Sequence, residues 1–491
     1  MIKSCSVEKQ TPYFRILSQD QIQEIKWAAH DIMSRVGFKV LHSEARRMLK
    51  SAGCIVKDTH VRVPEHVVRE CVRLAPKGWT IYDRSGRRAL EVQGRKSHYG
   101  TSTASPNTKD ALTGEIHPTT LNDIAMGARV ADALEHIDFV MPFGSSQDVP
   151  GQAIEIYEFP AVVANTTKPQ VFIGYSGRGV ELVYEMAAAV AGGLDRLQER
   201  PFVMAYPEPI TPLVYPGNVC DRLFAAADLS MPQISGATVQ LGATGPVTIA
   251  GAAAHGIAEG LMALVLAQLR RPGCPVALSV NIGVLDMSTA LMTFGDPANS
   301  LGLSAHAEVA QSFGLPTWGL AGATDAKVID AQAGVECTFS IFAQALAGLN
   351  LIHDVGYMDS AMTCSAEQML LGNEVIGMVK HFMRGVTVNR ETLARQVMED
   401  VGPGGHFLSH THTFKHFRSQ LLHTKRFDRK PRSVWEKNGA KQLDARIHEA
   451  TAAIIESHHP EGLDDKVVQE LERIKTKGVS ELVPSVDGPI N

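Results

Sequence analysis

The sequence predicts an α/β fold: an eight-stranded parallel (β/α)8 TIM barrel with an N-terminal helical and hairpin cap and a C-terminal helical extension. Apolar runs of four to eight residues recur eight times between residues 95 and 353. These runs lack strict alternation, as strands buried on both faces do. Helix-like stretches separate most of them, and eight strand–helix units over about 260 residues match the number and span that close a barrel. The alternative, a doubly wound open sheet, has fewer strands and a Gly-rich phosphate turn after the first, and no G-x-G-x-x-G occurs here.

The bulk properties narrow the class. The chain has 491 residues, is 44% hydrophobic and 20% charged, and carries a net charge of −5. A sizeable core can form, and no bulk basic field for nucleic acid or polybasic membrane patch is present. No run reaches about 20 uncharged apolar residues, the length of a membrane span. The N-terminal MIKSCSVEKQTPYF lacks a signal-peptide core. The seven cysteines are scattered, with no C-x-x-C pair, which argues against disulfides and a structural zinc site. The expectation is a soluble cytoplasmic protein with reduced thiols.

Three segments are expected: a cap over 1–94, the barrel over 95–385, and a loop-rich, helical extension over 386–491 packed on the barrel. In the cap, Ser18 with Gln21 forms a capping-box pattern and Gly37 a stop, so a helix is read between them. Helices follow at 43–51 and 64–74, then strands at 79–83 and 88–93. The barrel strands are read at 95–99, 138–143, 170–174, 201–206, 233–240, 275–281, 316–321 and 349–353. The intervening helices are 120–135, 152–164, 179–194, 217–229, 248–269, 297–313 and 329–347, with a final one at 365–384 stopped by Gly385. Helices at 440–457 and about 463–476 end the chain. The organising stretch is Pro316–Tyr357, where strand, polar loop, helix, strand and polar loop succeed one another.

Chemistry in such a barrel lies at the carboxyl ends of the strands. Those ends carry Tyr99, Phe143, Tyr175, Tyr206 with Glu208, Gln240, Asn281, Asp325, and His353 with Tyr357. Aromatics are only 6% of the chain, yet four of eight strand ends carry one. Converging rings make a box that attracts a cation, by roughly 0.5–2 kcal/mol per ring. Tyr99, Phe143, Tyr175 and Tyr206 are therefore expected as substrate-binding rings, with Asn281, Asp325, Lys327 and Tyr357 at the same rim. Glu208, set between two prolines, reads as a fixed anion, with a rigid surface turn as its bland alternative. Gln240 reads as an amide that orients substrate, and His353 as a group that binds a carboxylate or steers a proton. Asp330 and Asp325 are also candidate N-caps of the helix that follows.

The other conspicuous cluster is His406, His410, His412 and His416. It lacks the Glu of an H-E-x-x-H pair and any neighbouring Asp or Cys, so a cover loop or partner contact is the expected role and no metal ligands are assigned. No P-loop, G-x-S-x-G elbow or cysteine-nucleophile signature occurs.

Three stretches, GATDAKVIDAQAGVECTFSIFAQALAGLNLI, SAEQMLLGNEVIGMVKHFMRG and VGPGGHFLSHTHTFKHF, resemble the trimethylamine methyltransferase family. SHYGTSTASPNTKDALTGE and ILSQDQIQEIKWAAHDIMSRVGF resemble it more weakly. The resemblance implies an eight-stranded α/β barrel that moves a methyl group from an amine to the Co(I) centre of a separate corrinoid protein. The archaeal trimethylamine enzymes carry pyrrolysine, whereas this chain has only the twenty ordinary residues. It therefore resembles the non-pyrrolysine branch, which implies a quaternary amine such as glycine betaine. The corrinoid (cobalamin) is expected on a partner docking at the barrel mouth, with none tightly bound to this chain. His353-Asp-Val-Gly356 has the His and Gly of the cobalamin signature Asp-x-His-x-x-Gly, but Leu351 stands where its Asp belongs. A donor for a betaine carboxylate is sought among His353, Lys327 and the amides of Gly322–Thr324. The alternatives are a metal-dependent TIM-barrel hydrolase and a non-catalytic betaine-binding protein. A homo-oligomer is expected; nucleic acid and membrane are not.

Overall fold

The computed structural model describes residues 11–236 and 238–483. Seven strands form one parallel sheet in the spatial order His98–Thr101, Leu351–Val355, Thr317–Leu320, Val276–Ser279, Gln233–Ser235, Val203–Ala205 and Gln170–Phe172. Each corresponds to an expected strand. The eighth expected strand, 138–143, makes one bridge to either edge of this sheet, Gly100 to Phe139 and Val140 to Gln170. Its ladder is interrupted for a visible reason: the Asp138 carboxylate accepts the Tyr99 N–H at 2.8 Å, where a strand carbonyl would pair.

Alternation along the strands decides which side chains enter the interior. Phe139, Met141, Val171, Met204, Tyr206, Ile234, Ala277, Trp318 and Leu351 fill it. Gly100 also faces inward, since a Cβ there would come within 2.1 Å of the Phe139 ring. The hairpin of Gly78–Tyr82 and Arg88–Gln93 adds Ile81, Leu90 and Val92 to the same cluster and plugs the N-terminal end of the strands. Among the described residues this hairpin covers the N-terminal ends of the strands and leaves their carboxyl ends to carry polar groups.

Helices form the outer layer, 17 of them α-helices in all among the described residues. Ser18 and Gln21 form the expected capping box on Gln19–Asp31, which passes through a π turn to Gly37. Asp330 caps Ala331–Ala347 by accepting the Ala333 N–H at 3.1 Å, and Gly348 ends that helix with φ of 75°. The hub is Ile249–Arg270, against which Gln19–Asp31, Glu65–Leu74, Gly217–Asp228 and Pro297–Gln311 all pack. By length and composition this helix could cross a membrane, although Glu259 and Arg270 keep it from being an uncharged run, and 83% of its apolar window is buried here.

The strand ends are more elaborate than a plain barrel. The expected strand 233–240 breaks at Gly236, where φ is 125°, into Gln233–Ser235 and Val239–Leu241. The second piece joins Ile282–Asp286 and Leu291–Thr293 in a small sheet over the mouth. A further sheet links Tyr357–Met358, Thr363–Ser365, Asn107–Lys109 and Ile116–Pro118.

Lys168 holds the opposite end together. Its Nζ donates to the carbonyls of Ala131, Leu134 and Ile137 at 2.7, 2.5 and 2.6 Å, closing the C-terminus of helix Leu121–Ala133. Lys168→Met leaves these carbonyls without a donor and is expected to lower stability by about 2–4 kcal/mol in urea unfolding. Burial also pushes the Lys168 pKa down to about 8. Lysine charges in the unfolded chain below its ordinary 10.5, so wild-type stability should rise with pH between about 8 and 10.5, and the variant should lose that slope.

Candidate active site

The inward column at the carboxyl ends gathers one aromatic and polar cluster. Trp318, fully buried, stacks on the His353 ring at 4.4 Å and an interplanar angle of 20°. The Tyr206 ring lies 5.3 Å from Trp318 and 6.2 Å from His353. Asn281 Nδ2 donates to the Tyr206 hydroxyl at 3.2 Å. Burial first, then the charges of Glu208 and Asp354, hold that phenol well above its ordinary pKa. Three rings set by strands of one parallel sheet thus make a wall, and carboxylates stand beside it.

Of those carboxylates, Glu208 forms no ion pair among the described residues. Glu208 accepts the Thr238 N–H at 3.2 Å and the Thr238 hydroxyl at 3.3 Å. Burial raises its pKa, against the opposing pull of Thr238, His353 and Arg222. Arg222 lies behind it, but its donors go to the carbonyls of Gly174, Glu208 and Asn218 at 2.6, 3.3 and 3.3 Å. Asp354 is buried, sits at φ of 83°, and brings Oδ1 to 2.5 Å from His353 Nδ1 without a hydrogen-bonding angle. Asn281 Oδ1 and His353 Nε2 are buried and have no hydrogen-bond partner among the described residues. Buried polar atoms normally find partners, so two such atoms in one cluster point to a ligand-facing surface.

A second acidic group borders this wall. Glu158 accepts the Ser146 N–H at 2.8 Å and its hydroxyl at 3.0 Å, and Glu155 accepts the Tyr175 N–H at 3.2 Å. Burial, with help from the charge of Glu155, pushes Glu158 up to about 7 despite the Ser146 bonds. Because its ordinary value is 4.5, its contribution to stability is present below about 4.5 and is lost as pH rises through about 7. Glu158→Gln should flatten the fall in melting temperature between those pH values.

The structure brings Tyr206, Glu208, Asn281 and His353 together, with Tyr175 at the half-exposed edge near Ser145. It places the other expected residues elsewhere. Tyr99 points outward, because Gly100 takes the inward position; its ring packs among the helices with Lys380 Nζ 5.6 Å from its centre. Phe143 packs against the bare face of Gly127, where a Cβ would lie 2.5 Å from it. Gln240 left the barrel strand at the Gly236 break, and its amide lies 3.6 Å from Met292 Sδ. Asp325 is a fastening: it accepts from the Phe294 and Gly295 amides at 2.9 Å each, from Ser360 at 3.0 Å and from Thr293. Lys327 is exposed and tied to the Asp325 carbonyl and to Asp359. The Tyr357 hydroxyl donates to the Thr103 carbonyl and so joins two loops. The Gly322 and Thr324 amides are already bonded, to Ser340 and to the Tyr357 carbonyl. Tyr99→Phe should therefore change the KM for substrate less than about threefold, whereas removing a ring that faces the cation should weaken binding by up to about 2 kcal/mol.

Trp318, Asp354 and Arg222 were not among the expected site residues. Trp318 and Asp354 lie in the organising stretch, but Trp318 sits within a strand, where an apolar run does not tell inward from outward residues. Trp318 enters by inward parity, two residues before Leu320. Among the described residues no group of three metal-ligating side chains converges. His410 caps helix Thr411–Gln420, His416 lies 3.3 Å from Glu391, and His412 packs on His416 at 4.4 Å.

The fold is a TIM-barrel-like α/β architecture with a buried aromatic and acidic cluster at the carboxyl ends of its strands. A profile of the trimethylamine methyltransferase (MTTB) family matches residues 2–480, and the chain belongs to that family. It is 32% identical over 460 residues to trimethylamine methyltransferase MttB of Desulfitobacterium hafniense (strain DSM 10664 / DCB-2), covering 93% of this chain and 92% of that one. It is 29% identical over 466 residues to glycine betaine methyltransferase of D. hafniense (strain Y51), covering 94% and 96%. Its fold is similar to that of the monomethylamine methyltransferase MtmB of Methanosarcina barkeri, with a TM-score of 0.50, 12% identity, and coverage of 95% and 93%.

Proposed function

We propose that this methyltransferase takes a methyl group from a quaternary amine, glycine betaine or a related betaine, and passes it to the Co(I) centre of a separate corrinoid protein. The observation that carries this reading is the stack of Tyr206, Trp318 and His353 beside Glu208 and Asp354, with the one nearby guanidinium turned onto carbonyls. Such a cluster suits a cation that offers no N–H to hydrogen-bond.

The corrinoid, when its protein docks, supplies a nucleophile for a methyl carbon. This chain's residues do the rest. The rings and carboxylates hold the ammonium and aim one methyl outward along the barrel axis. The plugged lower end and the apolar interior exclude water. The C–N electron pair stays on nitrogen, so a neutral tertiary amine leaves and no proton is moved. This accounts for a pocket without an acid–base pair poised on the amine. Asn281 and His353 orient the remainder of the substrate, with His353 as the donor available to a carboxylate. The wall must not bind the ground state as tightly as the transition state, or the chemical step gains nothing.

In the same reading the two bridges of 139–140 close an eight-stranded barrel, with the mouth left for a cytoplasmic corrinoid partner. The test is transfer itself: the chain, glycine betaine and Co(I) cobalamin should yield methylcobalamin and dimethylglycine in equal amounts. Betaine binding without either product would leave a binding protein.

A further inference from the structure

We infer that the hairpin of Ile282–Asp286 and Leu291–Thr293 is a lid over the aromatic cluster, held shut by the carboxylate of Asp325. The lid adds to the proposed function, and rests on it only in taking that cluster as the substrate site.

The cluster is shut as it stands. Trp318 is fully buried, and Asn281, Tyr206 and His353 are 1%, 4% and 5% exposed. Ser279 Oγ, Trp318 Nε1, Asn281 Oδ1 and His353 Nε2 are buried without a hydrogen-bond partner among the described residues. Orphaned polar atoms cost stability, which a ligand recovers when it reaches them. Nothing the size of a substrate reaches these atoms unless a cover moves. The hairpin of Gly78–Tyr82 and Arg88–Gln93 packs over the N-terminal ends of the strands, so the movable cover lies at the carboxyl ends.

The lid grows directly out of the site. Ile282 follows Asn281, and its pairing partner Val239 follows Thr238, the residue that donates to Glu208. Burial falls away along the hairpin: Ile282 and Gly283 are buried, Val284 to Asp286 are half-buried, and Met287 and Leu291 near the tip are exposed. The tip rests on a soft contact. Met287 lies over the bare backbone of Gly242, where an added Cβ would come within 2.2 Å of its methyl carbon. Methionine is unbranched and flexible, so such a contact repacks readily.

The returning end of the hairpin is fastened at one carboxylate. Asp325 accepts the Phe294 and Gly295 N–H groups at 2.9 Å each and the Thr293 hydroxyl. It also accepts the Ser360 hydroxyl at 3.0 Å, from the loop that follows Tyr357–Met358. Hydrogen bonds to an ionised carboxylate are strong, and these four are lost together if it is removed. Ser360 sits in a run with Asp359 and Ala361 at φ of 54, 51 and 68°. That left-handed conformation is unfavourable for residues with a Cβ, so the loop is held against its own preference. Beside the fastening, the Phe294 ring lies 6.0 Å from the Tyr357 ring. Tyr357 in turn stands near enough to Asp354 for that charge to add to burial in raising its pKa. Fastening thus seats Phe294 on the ring next to the carboxylate of the site. A latch outside the binding surface governs how fast the site opens more than how tightly it holds.

The test compares amide hydrogen exchange and stopped-flow binding of glycine betaine in the unaltered full chain and in Asp325→Ala. Amides of residues 282–295 should exchange at least about tenfold faster in Asp325→Ala, while those of Val276–Ser279 stay as they are. Association and dissociation of glycine betaine, followed by tryptophan fluorescence, should both quicken about tenfold, with Kd within about threefold of its unaltered value. Ser360→Ala removes one of the four bonds and should quicken both rates about two- to fivefold, which keeps the test open should Asp325→Ala fail to fold. Exchange at 282–295 no faster than in the unaltered chain overturns the lid. Faster exchange with unchanged binding rates overturns it as well. So does a raised Kd with an unchanged association rate, because Asp325 then belongs to the binding surface. Faster exchange in a chain that binds no betaine overturns the proposed substrate and supports the latch.

Discussion

Trp318→Ala is expected to reduce kcat/KM for the quaternary amine by at least about 100-fold. Trp318 is the ring on which His353 stacks and against which Tyr206 leans. Removing it takes away one cation-facing surface, worth roughly 0.5–2 kcal/mol, and frees two more groups to move. It also empties a fully buried site in the barrel interior, at a cost of about 3–5 kcal/mol in stability. Trp318→Phe separates the two effects. It keeps a ring and most of the volume, so the fold should survive urea unfolding nearly unchanged while kcat/KM falls about tenfold or less. Equal activity in Trp318→Ala and the unaltered enzyme would remove Trp318 from the site.

Asp354→Asn is expected to raise KM for the cation by about 30- to 100-fold, with a smaller change in kcat. Asp354 is buried and brings a carboxylate oxygen to 2.5 Å from His353 Nδ1. Asn is nearly the same shape and tolerates positive φ, so the backbone at 83° need not change. What is lost is one negative charge in a poorly solvated place, where an opposing charge is worth several times its value in water. Michaelis curves in substrate at fixed Co(I) cobalamin measure the split. A KM that does not move would place the cation elsewhere, and Glu208→Gln would then be the informative variant.

Much of this fold was legible because it rests on local signals. Runs buried on both faces announced the strands, and Ser18 with Gln21, Gly37 and Asp330 marked helix ends through their own backbone chemistry. The site was less legible because it depends on which way a strand residue points. Tyr99 and Gly100 are neighbours, and only the space required by Phe139 decides that the glycine faces in. Gln240 was displaced by a break at Gly236 whose positive φ a run of apolar letters does not reveal. Asp325 looked like a free rim anion, but its role is set by amides some thirty residues earlier, in a small sheet that the apolar pattern did not show. Glu208 and His353 were found because a proline frame and a strand end constrain them directly.

The most direct test of the account is a panel of methylated amines given to the purified enzyme with Co(I) cobalamin, followed through the visible spectrum. The account predicts that a betaine produces methylcobalamin while trimethylamine does not, because a quaternary nitrogen leaves as a neutral amine without an activating group, whereas a tertiary one does not. Methyl transfer from trimethylamine at a rate equal to or above that from any betaine would contradict it.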